Sequence, residues 1–291
     1  QSHLDMVCQK NSDVNFDFET EGIKMEIDGD WVKAKGTTLG ADNGLGVATI
    51  MSILESSDIP HPDLEALFTI DEETGMTGAL GLKPGQLTGQ ILLNLDTEED
   101  DEIDIGCAGG IDVTITQNYE TEAANGQMVR LEVKGLQGGH SGMDIHKGFG
   151  NANIIVGRLL YKGLEKENIQ LISIDGGGLR NAQEFILEVT ELKKEILEEF
   201  ATIEAGLQIN IENTTSSEKA LSEADSKKII LTLKSLHNGV YRMSPDVKDL
   251  VESSNNVARV ELKGGALKIL NLSRSSVESS KYSVAEQLKS V

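Results

Sequence analysis

LEALFTI at 64–70 runs without a break into DEETG at 71–75, and ILLNL at 91–95 runs into DTEE at 96–99. Short continuous apolar runs are the pattern of strands buried on both faces, and both of these end in carboxylates. Open α/β sheets bind ligands at the C-terminal ends of their strands, so the pair predicts an α/β domain with an acidic site at its strand tips. Outward from this pair, residues 22–35 read as a hairpin: Ile23, Met25 and Ile27, a turn at Asp28-Gly29-Asp30, then Trp31-Val32. GTTLGADNG at 36–44 is a glycine-punctuated loop, and the apolar stretch after it, through Leu54, reads as a buried helix.

After Gly109-Gly110 the pattern changes to alternation, with Val113 and Ile115, then Val129, Leu131 and Val133, each flanked by polar residues. This is the signature of strands with one solvated face. Ile154, Ile155, Leu159, Leu160 and Leu164 fall at helical spacing and predict a helix over 151–166. Further strands are expected at 169–174, 185–189, 206–212, 257–263 and 266–272, and helices at 191–204, 218–236 and 279–290. Interleaved in this way they predict an α+β domain, a sheet covered on one face by helices. The expected division is 1–110 and 111–291.

The length of 291 residues suits two domains with a core each. Asp and Glu number 48 against 26 Lys and Arg, a net charge of −22, which argues against nucleic acid or an anionic membrane as partner. No apolar run approaches the roughly 18 residues of a membrane span, and the first residues have neither the basic nor the apolar region of a secretion signal. Cys8 and Cys107 belong to no CxxC pair. They fit a reducing, cytoplasmic compartment, with Cys107 read as a small buried side chain.

Several residues carry chemistry. His3 followed by Asp5 reads either as a metal-bound imidazole oriented by a carboxylate on its other nitrogen or as an incidental pair near a strand end. Asp42 is either a metal ligand or a helix N-cap. Glu72 and Glu73 repel each other unless a cation or a raised pKa relieves them, or unless they stand in a solvated turn. Asp96, taken alone, reads as a surface residue. His140 sits in GGHSG at 138–142, a glycine-rich turn between strand and helix, and Arg274 reads as a strand-end arginine or a carboxylate-holding fork.

The order of the pieces adds specificity: HLD at 3–5, GTTLGADNG, DEETG, LLNLD at 92–96, CAGGID at 107–112, then GGHSG. Together they resemble the co-catalytic zinc peptidases that include carboxypeptidase G and aminoacylase, and most closely the bacterial aminoacyl-histidine dipeptidases. SHLDMV at 2–7, TTLGADNG and CAGGID are the most specific pieces. The resemblance implies an α/β zinc-peptidase catalytic domain and an α+β lid that also forms a homodimer. It implies a pair of zinc ions, or manganese or cobalt in their place: His3 and Asp96 on one, Glu73 on the other, Asp42 bridging. Glu72 would be the general base and Asp5 the partner that orients His3. His140 would reach across the dimer to the developing oxyanion and the substrate, and Arg274 would hold the substrate's C-terminal carboxylate. The implied substrate is an unblocked dipeptide of the Xaa-His type. The alternatives are a tripeptide or N-acyl amino acid, or a dimerising fragment without turnover. Two departures from the family's pattern lead to the expectation of an incomplete catalytic domain in a chain cut at both ends. A loop and strand normally follow LRNA at 179–182, and the family's remaining zinc histidine would lie beyond Val291, matched by none of the five histidines here. His61, His146 and His237 match no family role.

Overall fold

The structure, a computed structural model, describes all residues except 12–13, 98–102, 104–106, 125, 176–178, 181–182 and 216–218. Most of the acidic cluster at 98–104 and part of the departure after Arg180 lie outside the described residues. The chain divides into two compact units, Gln1–Ile105 and Gly106–Val291.

The first unit contains β1 (Ser2–His3), β2 (Met25–Asp28), β3 (Trp31–Ala34), α1 (Ala41–Glu55), β4 (Phe68–Thr69) and α2 (Thr77–Leu80). β2 and β3 form the expected hairpin. β1 pairs in parallel with β4, placing His3 opposite Thr69. On its other side the backbone of Gln1 donates to Leu93 O at 2.8 Å and accepts from Leu95 N at 3.1 Å. The expected buried strands are therefore much reduced: strand geometry covers only Phe68–Thr69 of 64–70, and 91–95 is extended chain. Ile91, Leu92 and Leu93 are 83, 70 and 69% exposed, so these runs are not buried on both faces. α1 forms where expected but is not a buried helix, since it buries only Asn43 and Gly46. A continuous apolar run is buried only where another layer covers it, and Phe16 is the sole buried hydrophobic residue among the described residues of this unit.

The second unit contains β5 (Gly109–Asn118), β6 (Thr121–Glu122), β7 (Met128–Lys134), α3 (Ala152–Leu164), β8 (Ile174–Asp175), β9 (Leu179–Arg180), α4 (Gln183–Glu199), β10 (Gln208–Thr214), β11 (Ala220–Leu221), α5 (Glu223–Ser235), β12 (Gly239–Met243), β13 (Val251–Lys263), β14 (Ala266–Ser275) and α6 (Glu278–Lys289). An antiparallel sheet runs β12-β13-β14-β5, with β8 against the far end of β13, and a smaller one runs β10-β7-β9. α3 packs on α4, α5 and β7, and α6 on β5 and β14. Leu131, Ile155, Leu159, Leu160, Ile209, Ile229 and Ile269 form part of one continuous core. The alternation that predicted β5 and β7 places Val113, Val129 and Leu131 inward. α3 starts where Asn151 accepts from the N–H groups of Asn153 and Ile154, a capping role for which asparagine is favoured.

Four expectations are corrected here. Residues 185–189 are helical, inside α4; FILEV is a short apolar run that period alone cannot assign, and the apolar positions 189, 192 and 196 continue it at helical spacing. Of 169–174 only Ile174 belongs to a strand, and Leu171 instead meets Leu221 N and Ser226 Oγ. The helix expected from 218 starts at Glu223, because Ser222 accepts from Asp225 N at 3.1 Å and caps it, while Ala220–Leu221 pair with β6. Cys107 is exposed, not buried.

Candidate metal centre

β1 delivers His3 to the end of its ladder, and the chain turns there so that the ring folds back over its own backbone. Nδ1 lies 2.9 Å from Asp5 O and 3.5 Å from Asp5 Oδ1, while Nε2 lies 3.1 Å from Asp42 Oδ1 and 3.4 Å from Asp96 Oδ1. The ring is 1% exposed. The nearer partner of Nδ1 is thus the Asp5 carbonyl. The Asp5 carboxylate binds elsewhere, and its oxygens accept from the backbone N–H groups of Glu72 and Glu73, both at 3.1 Å. Asp5 therefore couples the imidazole to the acidic turn, and the two glutamates are placed by that turn and not by the divergence of neighbouring side chains along a strand. The turn itself is closed by Thr77 Oγ1 on Asp71 Oδ2 at 2.7 Å.

Asp42 lies in the first turn of α1 and is not its N-cap, which is Gly40 in the left-handed region at φ 79°. A side chain at Gly40 would meet Met6 Sδ at 2.8 Å, so glycine serves both the backbone angle and the close approach. Asn43, to which sequence reading assigns no role, is 3% exposed and central. It accepts from Ser2 Oγ at 2.6 Å and donates through Nδ2 to Asp96 Oδ1 at 2.7 Å and Leu95 O at 3.2 Å. Asparagine beside a loop aspartate is the only signal the sequence offers for this role, and it is a weak one. Gly46 makes the arrangement possible, since a Cβ there would collide with Asn43 Oδ1 and come within 2.6 Å of Ser2 Oγ.

Ligand atoms of His3, Asp42 and Glu73 lie within 4.8 Å of one another, and so do those of His3, Glu72 and Asp96. Each triad offers one imidazole nitrogen and two carboxylates, donors that suit zinc, and also manganese or cobalt. The electrostatics point the same way. Burial and then Asp96 push Glu72 above the ordinary carboxylate range, and burial and then Asp42 do the same to Glu73. Burial opposes protonation of His3, but Asp96 and Asp42 outweigh it and raise its pKa. Burial likewise opposes ionisation of Asp5, and the two turn N–H groups outweigh it and lower its pKa. A cation among these groups relieves the repulsion that raises the glutamates.

His140 and Arg274 belong to the second unit, where Arg274 Nη2 donates to the Oγ of Ser141, the residue after His140, at 3.3 Å. Arg274 Nε is buried with no partner among the described residues. His61 Nδ1 donates to its neighbour Pro62 O at 2.7 Å, and His237 Nε2 donates to Val240 O at 3.2 Å, in keeping with structural roles.

No protein-family profile matches the chain. It is 40% identical, over its whole length, to the cytosol non-specific dipeptidase of Escherichia coli, and covers 64% of that protein. It resembles the crystal structure of aminoacylhistidine dipeptidase from Vibrio alginolyticus with a TM-score of 0.68 and 39% identity, over 99% of this chain and 63% of that one. A third of the chain also aligns at 32% identity with the uncharacterized protein YqjE of Bacillus subtilis. Of the motifs that carry the resemblance, HLD, GTTLGADNG, DEETG and LLNLD supply the residues of the candidate metal centre, while CAGGID and GGHSG lie in the second unit. The chain is similar over nearly its whole length to these two dipeptidases and spans a little under two thirds of the length of each.

Proposed function

We propose that this chain carries the metal centre of a dipeptidase that hydrolyses unblocked dipeptides, of the Xaa-His type named for its Vibrio relative. The observation that carries this reading is the pair of triads that share His3, one with Asp42 and Glu73 and one with Glu72 and Asp96. A pair of zinc ions held by His3 and Asp96, by Glu73, and by Asp42 between them would supply Lewis acidity toward the peptide carbonyl. Glu72 takes the proton of the attacking water and returns it to the leaving amine. A carboxylate whose pKa burial and its neighbours raise is suited to hold a proton between those steps. Asp5 keeps the His3 ring oriented. His140 donates to the developing oxyanion across a homodimer formed by the second unit, and Arg274 receives the substrate's carboxylate. The orphaned Arg274 Nε supports that last role. The setting is cytoplasmic, as in the name of the Escherichia coli relative, and among the described residues no helix is long and apolar enough to cross a membrane.

His3, Asp42 and Asp96 make one full set of protein ligands, whereas among the described residues the other position has only Asp42 and Glu73. The chain is therefore expected to take up one zinc tightly and a second weakly, as titration by calorimetry would show; two tight sites would refute this ligand count. The function is tested by assaying a Xaa-His dipeptide beside an N-acetyl amino acid. The assay uses the 291-residue polypeptide and a version extended by the remaining third of the Escherichia coli relative. Glu72→Gln is expected to abolish dipeptide turnover and leave metal content intact. Loss of metal on that substitution would exchange the roles of the two glutamates, and preference for the N-acetyl amino acid would change the substrate class.

A further inference from the structure

The segment from Gln137 to Gly150 leaves the end of β7 and returns to α3, and it carries His140 and Ser141. It borders a cavity of about 570 Å³ whose lining includes His140, Ser141, Asp144, Phe149 and Asn153. Both ends of this loop are tied to one side chain. Glu204 Oε2 accepts from Gln137 N at 2.9 Å, and Oε1 accepts from Gly150 N at 2.8 Å.

Glu204 stands in the turn after α4 and is 3% exposed. Its own backbone is fixed there, donating to Phe200 O at 2.7 Å and accepting from Leu207 N at 2.9 Å. Gln137 adds a bond from Nε2 to Ile203 O at 2.9 Å. The loop ends and this turn are in close contact: a Cβ on Gly135 would collide with Gly206 O, and one on Gly150 would stand 2.8 Å from Leu136 Cδ2. Burying a carboxylate is costly unless its oxygens are bonded, and bonds to a charged acceptor are the stronger kind. Here each oxygen has one such bond, and the two come from opposite ends of the same loop.

Inside the loop, His140 N donates to Asp144 Oδ2 at 2.7 Å and Met143 N donates to His140 Nδ1 at 3.1 Å. Since a backbone N–H donates, Nδ1 is the acceptor, and the neutral ring carries its proton on Nε2. The loop's fold thus sets which nitrogen of His140 is offered outward as a donor.

We propose that Glu204 is a positioning residue, a buried carboxylate that closes the base of the 137–150 loop and through it fixes the tautomer and direction of His140. What His140 acts on rests on the dipeptidase reading; the closure of the loop does not.

The test is Glu204→Gln in the full 291-residue chain, read by amide exchange and by the ring-nitrogen NMR signals of His140. A glutamine oxygen can accept from one of the two N–H groups, while its NH2 faces the other. Exchange at Gln137 or Gly150 is expected to rise by about tenfold or more, while Leu131 and Ile209 in the β7–β10 ladder keep their protection. The His140 signals are expected to move from a fixed Nε2–H form toward a tautomer average. Should that variant not fold, Glu204→Asp keeps the charge but is too short to span both partners, and the same comparison applies. Unchanged exchange at both amides would overturn the proposal. So would faster exchange with an unaltered His140 signature, or protection lost equally across β7 and β10. Turnover is not part of this readout, so the activity of the parent chain bears on the dipeptidase reading alone.

Discussion

Leu159, Leu160 and Ile196 in the second unit are fully buried, while Ile91, Leu92 and Leu93 in the first are among its most exposed side chains. The residue types are the same. The layers differ. α3 in the second unit has α4, α5 and β7 around it, so its apolar face is covered all round. In the first unit β1 is flanked, among the described residues, by two short partners. What holds that region together is polar: Ser2 to Asn43 to Asp96, and Asp5 to the N–H groups of Glu72 and Glu73. These bonds converge on a cluster of like charges, so the first unit is arranged around a candidate cation site and the second around a core. Metal and fold stability are coupled in such a site.

The sharpest way to break this contrast is by truncation. Leu159→Ala should cost the second unit about 2–5 kcal/mol, whereas Leu92→Ser should move the first by no more than about 0.5 kcal/mol. Calorimetric unfolding of both variants measures this, and equal losses would end the distinction. Zinc tests the other half. At about 100 times its dissociation constant it should stabilise the first unit by about 2.7 kcal/mol and leave the second unchanged, as unit-specific amide exchange would report. Asn43→Ala should weaken zinc binding by about 10–100-fold, because Asn43 aims Asp96 without itself binding the metal; unaltered affinity would remove it from the site. Within the second unit Ser222→Ala should cost about 1 kcal/mol through loss of the α5 cap, read as a lower urea midpoint, and an unmoved midpoint would show the cap to be idle. The smallest effect concerns acid. The N–H of Gly89, with Thr88, holds Glu65 below its ordinary value of 4.5, so its contribution to the first unit is present above that pH and is lost as pH falls through the lowered folded value. Glu65→Gln should flatten that acid limb in a pH series of thermal midpoints; an unchanged slope would show that Glu65 does not contribute to it.

Much of this was legible in the sequence because it depends on neighbours within a turn or two. Alternation at Val129, Leu131 and Val133, helical spacing from Ile154 to Leu164, and the acceptor side chains of Asn151 and Ser222 are local signals, and the second unit follows most of them. The exceptions are also local in origin: a five-residue apolar run at 185–189 has no period of its own, and its helical neighbours decided it. In the site, the sequence determined the kinds of donor present, namely one imidazole near the start and carboxylates at the ends of apolar runs. It did not determine which atoms meet. Asn43 reaches Ser2 and Asp96, and Asp5 reaches the turn at Glu72, only because the β1–β4 register and the Gly46 approach bring distant segments within hydrogen-bond range. Glu204 is a similar case, an ordinary glutamate in sequence whose two partners, Gln137 and Gly150, stand at opposite ends of a loop. Burial of the first unit's apolar runs was beyond the sequence for the same physical reason: hydropathy states what a side chain would gain from cover, and only the tertiary structure decides whether anything covers it.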